Sequence, residues 1–288
     1  MRPERRTDKP SSSACEAPVA LPSGAAARPV ERWREGRAAS LTDCVAEEVP
    51  VALWYNDEPF AVMMATPTAL EDYALGFSLS EGIIGSPQEL LDLGIVPQLE
   101  GIELRIRIAD ERAAVLGARE RGLEGRSGCG ICGTRRIEDV VRPLEPVAAG
   151  IRVSAEALRS AMHGMARAQP LNAATGATHA AAWADAEGRI LMLREDVGRH
   201  NALDKLIGAV ARADLDPQAG FVIVTSRASS EMVMKAASMG AGLLAAVSAP
   251  TALAVDLAAS CGMTLLGFAR DGDCAVYTHP HRYLGAPQ

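Results

Sequence analysis

Two cysteines three positions apart, Cys129 and Cys132, stand in the run SGCGICG from Ser127 to Gly133. Glycines at 128, 130 and 133 give their sulfurs little local cover, and between Arg119 and Arg136 five arginines face two glutamates. A neighbouring positive charge favours thiolate over thiol, and thiolate is the form that attacks sulfur or binds metal. Such a pair suits three chemistries. A zinc half-site needs a second ligand pair, a redox dithiol belongs at the start of a helix after a strand, and a sulfur carrier needs an exposed thiolate that can hold a persulfide. A loop with two idle thiols is the fourth reading, and the loop alone leaves all four open.

Polar residues gather at three other places. EDVGRHNALDK, from Glu195 to Lys205, places Arg199, His200 and Asn201 at a strand-to-helix junction, where free backbone N–H groups and the helix dipole attract anions. His200 and Asp204 are four apart on one helix face; as plain structure, Asp196 caps the helix and those two bond each other. TSRASSEMVMK, from Thr225 to Lys235, repeats the junction, with Ser226, Ser229 and Ser230 as caps or phosphate ligands and Arg227 able to grip phosphate with two N–H groups. Together the two junctions outline a cleft for a phosphate-bearing ligand. The third place is ARDGD after Phe268. His179, in ATGATHAAA, reads as a strand histidine with Gly176 beside it to allow close approach.

No metal set emerges. His279 and His281 near Cys274 are unevenly spaced, and Cys261 sits in an apolar setting. A zinc deaminase needs H-x-E followed by P-C-x-x-C; here alanines follow His179, and the CxxC precedes it without a proline.

The elements that must position these residues are legible from periodicity. VPVALWYN and PFAVMMAT read as a hairpin around Asn56-Asp57-Glu58, followed by an amphipathic helix starting at Thr66 or Thr68 and a half-exposed strand over 101–109. A helix over 154–168 carries a core face of Leu158, Ala161, Met162 and Met165. Small residues over 175–182 form a strand, and Gly188 turns it into a second over 189–194. Helices over 199–211, 229–239 and 251–260 then alternate with strands over 221–226, 242–248 and 263–269, and a short strand over 274–278 follows. The alternation predicts an α/β fold on a mainly parallel sheet with helices on both faces and ligands at the strand C-terminal ends. Residues 1–42, mixing Pro, Ser, Ala and Arg without periodicity, read as a disordered tail. A strand-rich subdomain follows over 43–146, and the α/β domain covers 147–288.

The net charge of −7 argues against a general nucleic-acid binder. The start has no apolar region of a secretory signal, and the most apolar window, Ala241 to Ala259, is broken by Ser248, Pro250 and Asp256. These features predict a cytoplasmic protein that does not enter membranes, in which Cys15, Cys44, Cys261 and Cys274 are free thiols. Lysine is scarce, with only Lys9, Lys205 and Lys235. The two interior ones fall in the anion-site motifs.

TGATHAAA, EDVGRHNALDKLIG, SRASSEMVMKAA, SAPTALAVDLA and GFARDG, with GCGICG and ALGFSLSEGII, resemble the FdhD family of formate dehydrogenase accessory sulfurtransferases over about Asp43 to Leu284. The resemblance implies a cytidine-deaminase-like three-layer α/β/α C-terminal domain with a smaller strand-rich N-terminal subdomain. It implies a sulfurtransferase that takes persulfide sulfur from a cysteine desulfurase and passes it to the molybdenum of a bis(molybdopterin guanine dinucleotide) cofactor, enabling the formate dehydrogenase catalytic subunit. It further implies a homodimer, a persulfide on Cys129 or Cys132, and a cofactor-binding stretch at Phe268, Ala269, Arg270, Asp271, Gly272 and Asp273. Guanine nucleotides such as GDP would serve as analogues, and His179, Arg199, His200 and Arg227 would join the cofactor-binding set. Ala177 and Ser226 stand where the family pattern leads one to expect glycine.

Overall fold

The computed structural model describes residues 20–120, 144–148 and 150–285. The first surprise lies in the expected tail. Ala25–Arg34 (β1) and Arg37–Ala46 (β2) pair antiparallel from Ala25↔Ala46 to Arg34↔Arg37. Disorder over 1–42 is therefore corrected for residues 25–42, while residues 1–19 lie outside the described residues. Glu35 and Gly36 both take positive φ, 51° and 77°, which is the turn that matches strand twist in a tight hairpin. The ribbon escaped notice because both its faces are largely solvated, so no apolar alternation marks it.

Val49–Tyr55 (β3) and Glu58–Ala65 (β4) form the expected hairpin, and Leu90–Pro97 (β5) and Ile102–Ile108 (β6) complete a four-stranded sheet in the order β4-β3-β6-β5. Alternate residues of β3 and β6, among them Val51, Leu53, Leu104 and Ile106, are buried against helix α1, Leu70–Ser80. Asp110–Glu120 (α2) follows β6.

The second sheet carries the order β12-β11-β10-β9-β7-β8, built from His179–Asp185 (β7), Ile190–Asp196 (β8), Gly220–Val224 (β9), Leu243–Ala246 (β10), Thr264–Arg270 (β11) and Asp273–Thr278 (β12). Only β9-β10 and β10-β11 are parallel neighbours. The sheet is thus mixed rather than mainly parallel, because the short turn around Gly188 makes β7 and β8 a hairpin, and β7 also runs antiparallel to β9. One face packs on Arg199–Arg212 (α5), Ser230–Ser238 (α6) and Ala252–Ser260 (α7). The other packs on Ala155–Arg167 (α3). Pro170–Thr175 (α4) leads into β7, and Gly176 ends it at φ 67° with nothing against its Cα, so this glycine serves as a left-handed cap rather than a close approach.

The two sheets are locked together through α1 and α5. A methyl group at Gly76 would run into the Asp204 carbonyl, and one at Gly208 into the Asp72 carbonyl, so reciprocal glycines let the two backbones touch. Around that crossing lie three charge clusters, each centred on a buried aspartate. Lys205 Nζ is 2.6 Å from Asp196 Oδ2 and donates to the Thr66 carbonyl at 2.8 Å, while Asp196 Oδ2 also accepts from Thr66 N at 3.0 Å. Both side chains of this pair are fully buried. Lys235 Nζ meets Asp204, Ser80 Oγ and Glu81. Asp72 accepts from Arg194 and Arg212, each at 2.7 Å. The two interior lysines are therefore fasteners between sequence-distant elements, not anion ligands.

Burial pushes the Lys205 ammonium below the usual lysine range, and Asp196 pulls it back only in part. Lys205→Met should cost about 3–5 kcal/mol, because Asp196 is left as an unpaired buried charge. Chemical denaturation of that variant measures it, against an Asp196→Asn/Lys205→Met double variant that removes the lone charge, keeps an acceptor for Gly198 N and recovers part of the loss.

Candidate functional site

β8, β9, β10 and β11 point the same way, so their C-terminal ends share one edge of the sheet with the first residue of β7. His179, Arg199, His200 and Arg227 all lie along that edge. His179 pairs in register with Asp196, and its Nδ1 is 3.4 Å from Thr225 Oγ1. Thr225 Oγ1 in turn accepts from Ala180 N at 2.9 Å, fixing the hydroxyl against β7. Burial holds the His179 ring below the usual imidazole range, and the charges of Arg199 and His200 push it further down.

Helix α5 begins at Gly198 and α6 at Ser229, and neither start receives a side-chain cap. By contrast, Ser154 caps α3 and Thr251 caps α7. Two neighbouring helix starts thus keep their free N–H groups. Asp196 Oδ1 accepts from Gly198 N at 2.7 Å and from Asn201 Nδ2 at 3.1 Å, which shapes the turn into α5 without covering its end. His200 does not meet Asp204, as its i,i+4 spacing suggested. Its Nε2 lies 2.5 Å from Glu231 Oε2 in the first turn of α6, with side chains 17% and 15% exposed. The contact is close but poorly aligned, since His200 Nε2 gains no hydrogen bond of proper angle. Arg199 Nε and Ser229 Oγ are likewise buried atoms without a partner. Arg199, Arg227 and Arg270 have no carboxylate partner among the described residues, whereas Arg189, Arg194 and Arg212 do.

Phe268–Asp273 lies along the same edge but beyond β10, roughly 10 Å from β9 at ordinary strand spacing. Asp271 and Gly272 form a two-residue turn at φ 51° and 94°, closing the Arg270↔Asp273 pair. Phe268 is itself at φ 53° in a register shift and 53% exposed, while Ala269 is buried toward the α3 face. Asp271 Oδ1 sits 3.4 Å from His163 Nε2 of α3. The structure therefore brings His179, Arg199 and His200 into one cluster, leaves Arg227 exposed two residues before the start of α6, and leaves 268–273 as a separate hairpin further along. Ser226 is buried with its hydroxyl donating to the Arg227 carbonyl.

Cys129 and Cys132 lie outside the described residues. The chain before them is α2, ending at Glu120; after them Leu144 and Val147 pack beside α7, and Val147 N donates to the Cys261 carbonyl at 2.8 Å. Cys44, Cys261 and Cys274 are free thiols, and burial raises the latter two above the usual thiol range.

Thr225 and Glu231 went unassigned in the sequence reading. Glu231 had a legible signal, a carboxylate in the first turn after a serine cap, but its partner is set by tertiary packing of α6 on α5.

The model of the FdhD/NarQ family matches residues 46–284. The chain belongs to that family. It is 58% identical over 259 residues to the sulfur carrier protein FdhD of Xanthomonas campestris pv. campestris (strain B100), covering 90% of this chain and 92% of the relative. The sulfur carrier protein FdhD of Bordetella petrii is 54% identical over 245 residues, covering 85% and 88%. Among solved structures, a candidate formate dehydrogenase accessory protein from Desulfotalea psychrophila superposes with a TM-score of 0.73 at 24% identity, over 91% of this chain and 100% of that one. That likeness confirms a shared fold. No helix among the described residues is long and apolar enough to cross a membrane.

Because burial and Arg199 oppose its charge, His179 should titrate below 6.5 in histidine NMR spectra, and Arg199→Met should move its midpoint upward. A proton bound less readily in the fold than in the unfolded chain makes this residue subtract stability as pH falls below 6.5. A wild-type midpoint at or above 6.5 would contradict the placement.

Proposed function

We propose that this protein is a cytoplasmic sulfur carrier that accepts persulfide sulfur from a cysteine desulfurase and hands it to a bis(molybdopterin guanine dinucleotide) molybdenum cofactor for a formate dehydrogenase. The observation that carries the reading is the 58% identity, over nine-tenths of the chain, to a protein named sulfur carrier FdhD, with GCGICG inside the matched span. Cys129 receives the sulfur and Cys132 assists or takes it over.

The loading step follows from thiolate chemistry. Cys129 thiolate attacks the terminal sulfur of the desulfurase persulfide, a new S–S bond forms on Cys129, and the desulfurase cysteine leaves as its own thiolate. Five arginines around the CxxC favour both the attacking thiolate and the persulfide anion that results.

The cofactor enters as substrate, and the C-terminal edge of the second sheet is its proposed seat. Two uncapped helix starts and arginines 199, 227 and 270, which have no carboxylate partner among the described residues, support this, since the guanine dinucleotide arms carry pyrophosphates. The hairpin 268–273 joins the seat on the strength of the family resemblance. A cytidine-deaminase-like arrangement and a homodimer belong to the same proposal; the mixed sheet with helices on both faces is compatible with the first.

Incubation with a cysteine desulfurase and cysteine, followed by mass spectrometry, tests the carrier role. The wild type should gain sulfane sulfur that thiol reductant removes, and a Cys129→Ala/Cys132→Ala variant should gain none. Undiminished sulfur on the double variant would refute it.

A further inference from the structure

We infer that the β1–β2 ribbon is a docking arm for an acidic protein surface, that of the formate dehydrogenase subunit which takes up the sulfurated cofactor. The inference rests on the proposed carrier role and names the chemistry by which its recipient is recognised.

The strand register sorts the ribbon's charges. Directly paired residues share a face and alternate residues of each strand return to it, so Arg28↔Asp43, Val30↔Leu41, Arg32↔Ala39 and Arg34↔Arg37 make one side. Four arginines thus stand there against a single carboxylate, although the whole chain carries −7. Glu31 lies on the opposite side and Glu35 in the turn. Arg32 Nη2 takes the Asp43 carboxylate at 2.9 Å, while Arg34 and Arg37 face each other across the strands with no carboxylate partner among the described residues. Like charges set directly opposite destabilise a pair of strands. An acidic partner turns that repulsion into attraction. Trp33, paired with Ala38 on the other side of the tip, is 66% exposed. Tryptophan and arginine are residue types that carry much of the binding energy in protein interfaces.

The ribbon's root fixes where a docked partner comes to rest. Gly24, just before β1, is pressed against Thr66 and α4: a methyl there would lie 2.6 Å from Thr66 Cγ2 and 3.5 Å from Leu171 Cδ2. Thr66 N donates to Asp196 and Leu171 N to Glu195, the last two residues of β8. The root therefore stands beside the strand C-terminal edge proposed to seat the cofactor. From Arg28 to Arg34, β1 runs on for roughly 20 Å with only Val30 partly shielded from solvent. A protein bound along it lies beside that edge. A sulfur donor has to reach only Cys129, whereas a cofactor recipient has to reach the edge itself. A two-stranded ribbon open on both faces is marginally stable alone, so a covering partner also steadies it.

Calorimetric titration of the full-length protein with the purified, cofactor-free catalytic subunit of its formate dehydrogenase tests this. Wild-type affinity should fall as ionic strength rises. Arg34→Glu/Arg37→Glu and Trp33→Ala should each weaken binding roughly tenfold. Arg105→Glu, on the first sheet, should leave it unchanged. Circular dichroism checks the fold of each variant, and Trp33→Ala, which alters one exposed side chain, keeps the test open should the double charge reversal disturb the ribbon. A wild type that loads sulfur yet binds no subunit, or binds it with an affinity indifferent to both tip variants, would overturn the inference and leave the carrier reading standing. So would tip variants that lose self-association, desulfurase binding or nucleic-acid binding in place of the subunit. Failure of the wild type to load sulfur counts instead against the carrier reading.

Discussion

A single buried ion pair governs how the two halves of this protein meet. Lys205 and Asp196 lie nine positions apart across the β8–α5 junction, both without solvent contact, and both reach the backbone of Thr66 just after β4. Two charges in a low-dielectric interior are stable together only when their remaining hydrogen-bonding capacity is met. Thr66 N and O, Gly198 N and Asn201 Nδ2 meet it here. The arrangement therefore specifies one register of α1 on α5, and the reciprocal Gly76 and Gly208 contacts make that register as close as two helices can pack. Because Asp196 also shapes the turn into α5, the same pair decides where Arg199 and His200 stand.

This coupling explains a division of labour inside one motif. In EDVGRHNALDK, Glu195 caps α4, Asp196, Asn201 and Lys205 fasten the first sheet to the second, Asp204 binds Lys235, and Arg199 and His200 are left at the open helix start. The density of ionisable residues thus has two causes, a buried junction and an exposed edge. Their alternation follows helical geometry: positions 201, 204 and 205 face the crossing with α1, while 199 and 200 occupy the first turn. Lys235 does the same for α6, held above the usual lysine range because Asp204 and Glu81 outweigh its burial.

Much of this was legible in the sequence. The strand and helix alternation after residue 189 was readable to within two or three residues, because alanine-rich helices and short apolar strands are separated by glycine, proline and serine turns; before it, the strand read over 175–182 is β7 at His179–Asp185, and the short helix Pro170–Thr175 was hidden among the same small residues. Arg199, His200 and Arg227 were legible as residues at strand C-terminal ends, whereas His179 read as a histidine within a strand, and its place beside Arg199 depends on β7 running antiparallel to β8. The β1–β2 ribbon was not legible, since its solvated faces carry no period, and the antiparallel β7 was mistaken for part of a parallel sheet because a tight turn at Gly188 outweighs the general alternation. The burial of both lysines was hidden as well. A lysine near a histidine and an arginine reads as anion-binding until tertiary packing is known: Asp196 neutralises Lys205, and the Thr66 carbonyl that completes its hydrogen bonding comes from over a hundred residues away.

The central claim is that a nucleotide-bearing substrate is held along the C-terminal edge of the second sheet. A crystal structure of the protein with bound GDP tests it most directly. The account predicts phosphate oxygens within hydrogen-bonding distance of Arg199, Arg227 or Arg270. A nucleotide seated away from that edge would contradict it.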